Sequence, residues 1–216
     1  MRRVVAALAL AASLSAGCSG DDDTDGTAGS SGTAGTAGTA GTEPSETTGP
    51  NQAAVADPDL RDELLAMMAE DQEARTGGSA TGSDEARTER LRAIIEEHGW
   101  PTFDLVGVDG STAAWVIAQH ADFDPAFQDE VARLLRPLVE HGQADASELA
   151  YLEDRIAVNA GREQRYGTQI RCRDGVPSPA TPIVDEATVD ARREAVGLEP
   201  LADYYADLRE ACAAEG

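Results

Sequence analysis

Lysine is absent from this 216-residue chain: all 17 basic side chains are arginines, set against 40 acidic ones. The all-arginine usage goes with abundant Ala, Gly and Asp and reads as GC-rich coding, so no chemistry is attached to it. The formal charge of −23 does carry a consequence, because such a surface repels phosphate backbones and anionic headgroups. Nucleic acid is therefore not expected as a partner. Beyond residue 17 no apolar run approaches the roughly 20 residues that a bilayer core requires. Chemical signatures are equally scarce. With three histidines and no H-E-x-x-H or comparable spacing, neither a metal nor another cofactor is expected. There is no G-x-S-x-G and no phosphate-cradling glycine loop, so a serine nucleophile finds no support.

What is present begins at the first residues. Arg2 and Arg3 precede an apolar run from Val4 to Leu14, and small residues Ser15, Ala16 and Gly17 lead to Cys18. This is a signal-peptide layout, and Leu14-Ser15-Ala16-Gly17-Cys18 resembles the lipobox of bacterial lipoproteins, with Ser15 where Leu is commonest. The resemblance implies lipidation of Cys18, hence a membrane partner reached through the lipid and a place in the cell envelope. That place is the outer membrane if the cell has one, which Ser19 would suit, and the outer face of the cell membrane otherwise. Several acyl chains, at about 0.8 kcal/mol per buried methylene, make a durable anchor. The mature chain then holds 15 arginines against 40 acidic residues, a balance of −25.

Three segments are expected: a signal peptide over 1–17, a lipidated and disordered linker over 18–56, and one helical domain over 57–216. The linker opens on Asp21, Asp22 and Asp23 and continues in Gly-Thr-Ala triplets with almost no large apolar side chain. As a flexible coil it would span on the order of 35 Å. Asp21 to Asp25 lack the spacing of a calcium loop and read as its solvated start. In an exported protein Cys172 and Cys212 are an even pair, and a disulfide is expected rather than two buried thiols.

The domain reads as mainly α, six to seven helices with a small β-hairpin. Helices are expected over 58–75 (Asp57 as N-cap, with Leu60, Leu64, Met67 and Met68 on one face) and over 84–98 (Leu91, Ile94, Ile95). Thr102 to Gly110 reads as irregular or a short strand, followed by a helix over 112–121. The strongest periodicity, Phe127, Val131, Leu134, Leu135 and Leu138, predicts a helix over 125–141, kinked or weakened by Pro137. Asp145 with Glu148 suggests a capping-box start to a helix over 146–159. Asp174-Gly175 is the best hairpin turn, joining 166–173 to 176–183, with prolines demoting the second arm to an edge strand or loop. Helices over 186–196 and 200–213 close the chain, the last burying Leu201, Tyr204 or Tyr205, and Leu208.

Asp71, His98 and His120 continue the apolar stripes of their helices. They must therefore find partners, since an unsatisfied buried group costs roughly 1 to 3 kcal/mol. His98 and His141 read as helix-end caps, His98 packed and at the opposite end of the bundle from Asp71 and His120. Four motifs stand in order: His98-Gly99-Trp100-Pro101, Gln119-His120-Ala121-Asp122, Tyr151 to Arg155, and Gln164-Arg165-Tyr166-Gly167-Thr168-Gln169. Together they resemble an uncharacterised bacterial family, domain of unknown function 6624, from about Leu60 to Leu208. The resemblance implies a shared fold and pocket built from Asp71, Gln72, His98, Trp100, Gln119, His120, Asp122, Asp154, Arg155, Gln164, Tyr166 and Gln169. Arg155 lies beside the Leu152 and Ile156 stripe, whereas Asp154 projects away from it.

Three functional readings follow. The first is a tethered binding module with Gln119, Gln164, Tyr166 and Gln169 lining a groove; its ligand or protein partner is open. The second is an envelope hydrolase with His120 and Asp122 or Asp154 as acid and base. The third is a structural domain in which these residues form a satisfied internal network.

Overall fold

The computed structural model describes residues 55–78 and 82–215. The expected signal peptide, Cys18 and the linker up to residue 54 lie outside the described residues. Val55 and Ala56, expected in the linker, join the fold: Ala56 N–H donates to Asp104 O (3.2 Å) and Asp57 N–H to Leu105 O (2.8 Å).

Helix α1 (Pro58–Arg75) starts as its sequence dictates, with the Asp57 carboxylate accepting from Leu60 N–H and proline in the first turn. Helix α2 (Asp84–His98) is capped by Ser83 and closed by Gly99 at φ 74°. The next segment departs from expectation. Residues 102–110 are not irregular: α3 (Phe103–Gln119) runs through them with a single break at Gly107 (φ 76°, ψ 172°). The chain kinks at this glycine, and Gln143 holds the helical piece before it, through its carbonyl to Phe103 N–H and its side chain to Asp104 N–H.

Helix α4 (Pro125–Glu140) begins at the Asp124 cap and continues through Pro137. Helix α5 (Ala146–Asn159) is capped by Asp145, but Glu148 does not reach back to complete a capping box. Instead its Oε1 accepts from Thr112 Oγ1 at 2.6 Å, tying α5 to α3. Leu60, Leu64, Leu91, Ile94, Val106, Ile117, Phe127, Val131, Leu135 and Leu152 fill the main core; Met68, Ile95, Leu134 and Leu138 are only partly buried.

The hairpin is shorter than its alternation suggests, β1 (Ile170–Arg173) pairing antiparallel with β2 (Val176–Pro179). Asp174 (φ 52°) and Gly175 (φ 73°) make the turn. The helix expected over 186–196 is a 3-10 turn (Glu186–Thr188) followed by α6 (Val189–Ala195). Helix α7 (Leu201–Glu215) packs against the hairpin, bonded to it by the Cys172–Cys212 disulfide. Ile183, Val189, Leu201 and Tyr204 form a second, smaller core, with Tyr205 and Leu208 at its margin. No helix among the described residues is long and apolar enough to cross a membrane.

Candidate functional site

Antiparallel packing brings the C-terminal end of α1, the start of α2 and the end of α3 together, and there Asp71 meets His120. Both side chains are sealed, 1% and 2% exposed. His120 Nδ1 lies 2.7 Å from Asp71 Oδ2 and 2.8 Å from Arg75 Nε. Nδ1 cannot both donate to the carboxylate and accept from the guanidinium. The favoured arrangement has Nδ1–H donating to Asp71, which leaves Arg75 forked on the same carboxylate at 3.0 and 3.2 Å. Gln72 Nε2 donates to it as well (2.8 Å), and Arg87, itself buried, lies 3.8 Å away. Burial alone would raise the Asp71 carboxyl, but the hydrogen bonds from His120 and Arg75 outweigh it and hold it below the ordinary carboxylate range.

Two residues along the chain, Asp122 faces different partners. Arg155 of α5 grips it bidentately, Nε to Oδ1 at 2.7 Å and Nη2 to Oδ2. Asn159 (2.8 Å) and Gln128 (3.3 Å) also donate to Oδ1. Burial pushes this carboxyl up, and Arg155, Asn159 and Gln128 together bring it below its usual value. The other end of Arg155 reaches Gln169 Oε1 at 3.4 Å.

Asp154 corrects the expectation that it projects away: it is wholly buried. Its two oxygens accept from the N–H groups of Arg165 (2.6 Å), Tyr166 (3.1 Å) and Thr168 (2.9 Å) and from the Thr168 hydroxyl (3.0 Å). A loop wraps around one carboxylate, and Gly167 at φ 68° permits the wrap, since a Cβ there would fall 2.5 Å from Ile183 Cδ1. Gln164, also fully buried, clamps the same loop from Nε2 to the carbonyls of Gln169 and Thr181 (both 3.0 Å), while its Oε1 accepts from Gln169 N–H (2.8 Å). Gln169 Nε2 donates to Tyr151 O at 3.3 Å. Buried Arg193 finishes the arrangement, donating to Tyr166 O (2.9 Å) and Glu199 O (2.6 Å) beneath the Tyr204 ring.

The expected pocket residues thus divide. Asp71, Gln72 and His120 meet; Asp122, Arg155 and Gln169 are linked; Asp154, Gln164 and Tyr166 hold a loop. Gln119 is buried with Oε1 unpartnered, its carbonyl accepting from Gln128 Nε2 (3.1 Å). Trp100 is a core residue, donating from Nε1 to Ser111 Oγ at 3.4 Å. His98 is not packed as expected: it is exposed at the opposite end of the bundle beside Glu97. The hydrolase pairing of His120 with Asp122 or Asp154 is not the contact observed, because the partner of His120 is Asp71. His141 does cap a helix end, Nδ1–H donating to Pro137 O at 2.6 Å. Tyr166 and Arg165 border a surface pocket of about 410 Å³ with Thr188, Ala191, Arg192, Ala195 and Val196; His120, Asp122 and Gln169 do not line it. Among the described residues no group of three or more His, Cys, Asp or Glu could hold a metal ion.

Sequence reasoning missed Arg75, Gln128, Thr168, Asn159 and Arg193. Arg75 had a signal, its i+4 spacing from Asp71. Thr168 stood within the Gln164 to Gln169 motif, Gln128 bonds back across the α3–α4 turn to Asp122, and Asn159 and Arg193 join segments distant in sequence and had none.

Fold and site define a small, mainly α-helical domain in which buried carboxylates of the bundle organise the surrounding loops. The chain belongs to a family of unknown function, DUF6624, which it matches over residues 58–215. No curated protein and no solved structure matches it.

Proposed function

We propose that this chain is a lipid-anchored cell-envelope protein whose helical domain is a binding module. The N-terminal layout and Cys18 support the anchor, with the membrane as partner through the lipid, the linker over 18–56 as tether and the domain over 57–216 as its cargo. One observation carries the module. In the turn between α3 and α4, Phe123 is 49% exposed, and each neighbouring carboxylate is held by an arginine of another helix. Asp122 is gripped by Arg155 of α5, and Asp124 accepts from Arg92 Nη2 of α2 at 2.7 Å while capping α4. An exposed aromatic ring on a turn braced from both sides loses little conformational entropy on docking, which is what a protein-binding anchor requires.

The test is in the cell. Cys18→Ser should move the protein from the membrane to the soluble fraction; a membrane-bound variant overturns the anchor. A photo-crosslinking residue at 123 should give a discrete protein adduct that the same residue at the exposed Val184 does not. No adduct at 123, or the same adducts at both positions, overturns the docking turn.

An envelope hydrolase is the second reading, favoured by the Asp71–His120 pair, which would orient the imidazole as a general base. Against it, the ring is 2% exposed and Asp122 and Asp154 are committed elsewhere. The satisfied contacts of Asp154 and Gln164 support the structural reading for those residues, which leaves the exposed turn as the functional surface.

A further inference from the structure

The two edges of the hairpin differ in what they can bond. Arg173 and Val176 flank the two-residue turn, so the hydrogen-bonded pairs are 173 with 176 and 171 with 178. Ala180 N–H to Gln169 O at 2.9 Å continues the same alternation. The backbone groups of Ile170 and Cys172 therefore point outward along the far edge of β1, and they have no backbone partner among the described residues. On β2 the outward positions are Pro177 and Pro179, which have no N–H to donate. One edge is blocked and the other is open.

The side chains sort the same way. Cys172 faces α7, to which it is bonded, so the pleat turns Arg171 and Arg173 to the opposite face, with Ser178 and Val176 across from them. Arg171, Arg173 and Val176 are exposed. In the helical bundle Arg61, Arg75, Arg87, Arg90, Arg92, Arg136 and Arg155 pair with carboxylates and Arg133, among the described residues, does not. What sets the hairpin apart is that its two arginines without an ion pair stand side by side along an open strand edge. Arg171 and Arg173 form no ion pair among the described residues, in a chain carrying 40 acidic side chains. Two unspent cations beside two unspent N–H groups match an extended strand with carboxylates at alternate positions.

We propose that the open edge of β1 takes an extended acidic segment of a partner polypeptide as a third strand, with Arg171 and Arg173 pairing to its carboxylates. Main-chain bonds to Ile170 and Cys172 would supply strand addition, and the arginines would select the charge. This surface is separate from the Phe123 turn, so either can fail alone.

The probe is a seven-residue peptide alternating Glu and Val, titrated into the oxidised mature chain with a Lys–Val peptide as control. The expected result is saturable shifts and slowed hydrogen exchange at the Ile170 and Cys172 amides. Both should weaken in salt, and no such response should come from the Lys–Val peptide. R171E/R173E removes both ion pairs and sets like charges against the peptide, so binding should weaken about tenfold. The milder R171Q/R173Q serves if the reversal perturbs the hairpin. N-methylation of alternate peptide amides should abolish binding. Absence of a response at Ile170 and Cys172, equal binding of the Lys–Val peptide, or affinity unchanged in the double variants overturns the proposal. The last two results would leave the arginines as guards against edge pairing.

Discussion

At the scale of single residues, Asp154 and Glu148 show how packing assigns roles that residue type does not. Asp154 sits away from the apolar stripe of α5, and periodicity alone gives it to solvent. The 164–169 loop covers that side of the helix and turns the carboxylate into its anchor. Asp154→Ala strips three amides and a hydroxyl of their acceptor inside the protein. The expected cost is about 3 to 5 kcal/mol, read as a lower urea midpoint, with a smaller loss for Asp154→Asn. Glu148 is the opposite case. Burial under α3 pushes its carboxyl up to about 7 from 4.5, against the Thr112 hydrogen bond and aided by nearby Asp145. The folded protein keeps a proton there that the unfolded chain has already released, so this group's stabilising effect is present below 4.5 and lost as pH rises towards 7. Asp71, held below its ordinary value, acts in the other window: its contribution is present above 3.8 and lost as pH falls through its lowered folded value. Melting temperatures of the wild type and Glu148→Gln, compared at about pH 5 and about pH 8, should show a smaller decline for the variant. Parallel declines would refute the raised carboxyl.

At the scale of elements, the helices with clear capping residues were legible and the segment around Gly107 was not. Glycines at 107 and 110 among apolar residues read as a strand or loop, whereas α3 absorbs them with one break. The backbone at Gly107 lies in a region open essentially to glycine, and a Cβ would sit 3.1 Å from both Asp109 Oδ1 and Val55 Cγ1. Gly107→Ala should lower stability by about 1 to 3 kcal/mol in thermal unfolding. An unchanged melting temperature would mean that α3 does not need its break. The hairpin turn was evident from Asp174-Gly175, but its length was not, because beyond Ala180 the backbone bonds of the second arm pass to Gln164 at the start of the Asp154 loop.

At the scale of the molecule, the described residues from Val55 onward form one compact unit. A chain starting at Ala53 should melt at the same temperature as the mature chain beginning at Cys18, by calorimetry under one set of conditions. A lower midpoint would mean that residues before 53 contribute contacts to the domain.

The sequence by itself determined the helical class, most helix starts and the hairpin turn, and it made Cys172 and Cys212 an even pair for which a disulfide is the expectation. Those depend on local rules: caps, period, turn residues and the arithmetic of cysteines. It also singled out Asp71, His120, Asp154 and Gln164, polar residues that are buried and hydrogen-bonded in the structure. What each of them touches was decided only by tertiary structure. His120 pairs with Asp71 rather than with Asp122 because helix ends are brought together by packing. Asp154 serves a loop rather than a substrate because that loop folds back over α5. The small number of histidines bounded the chemistry from the start, and long-range contacts then gave Asp71, His120, Asp154 and Gln164 their partners inside the fold.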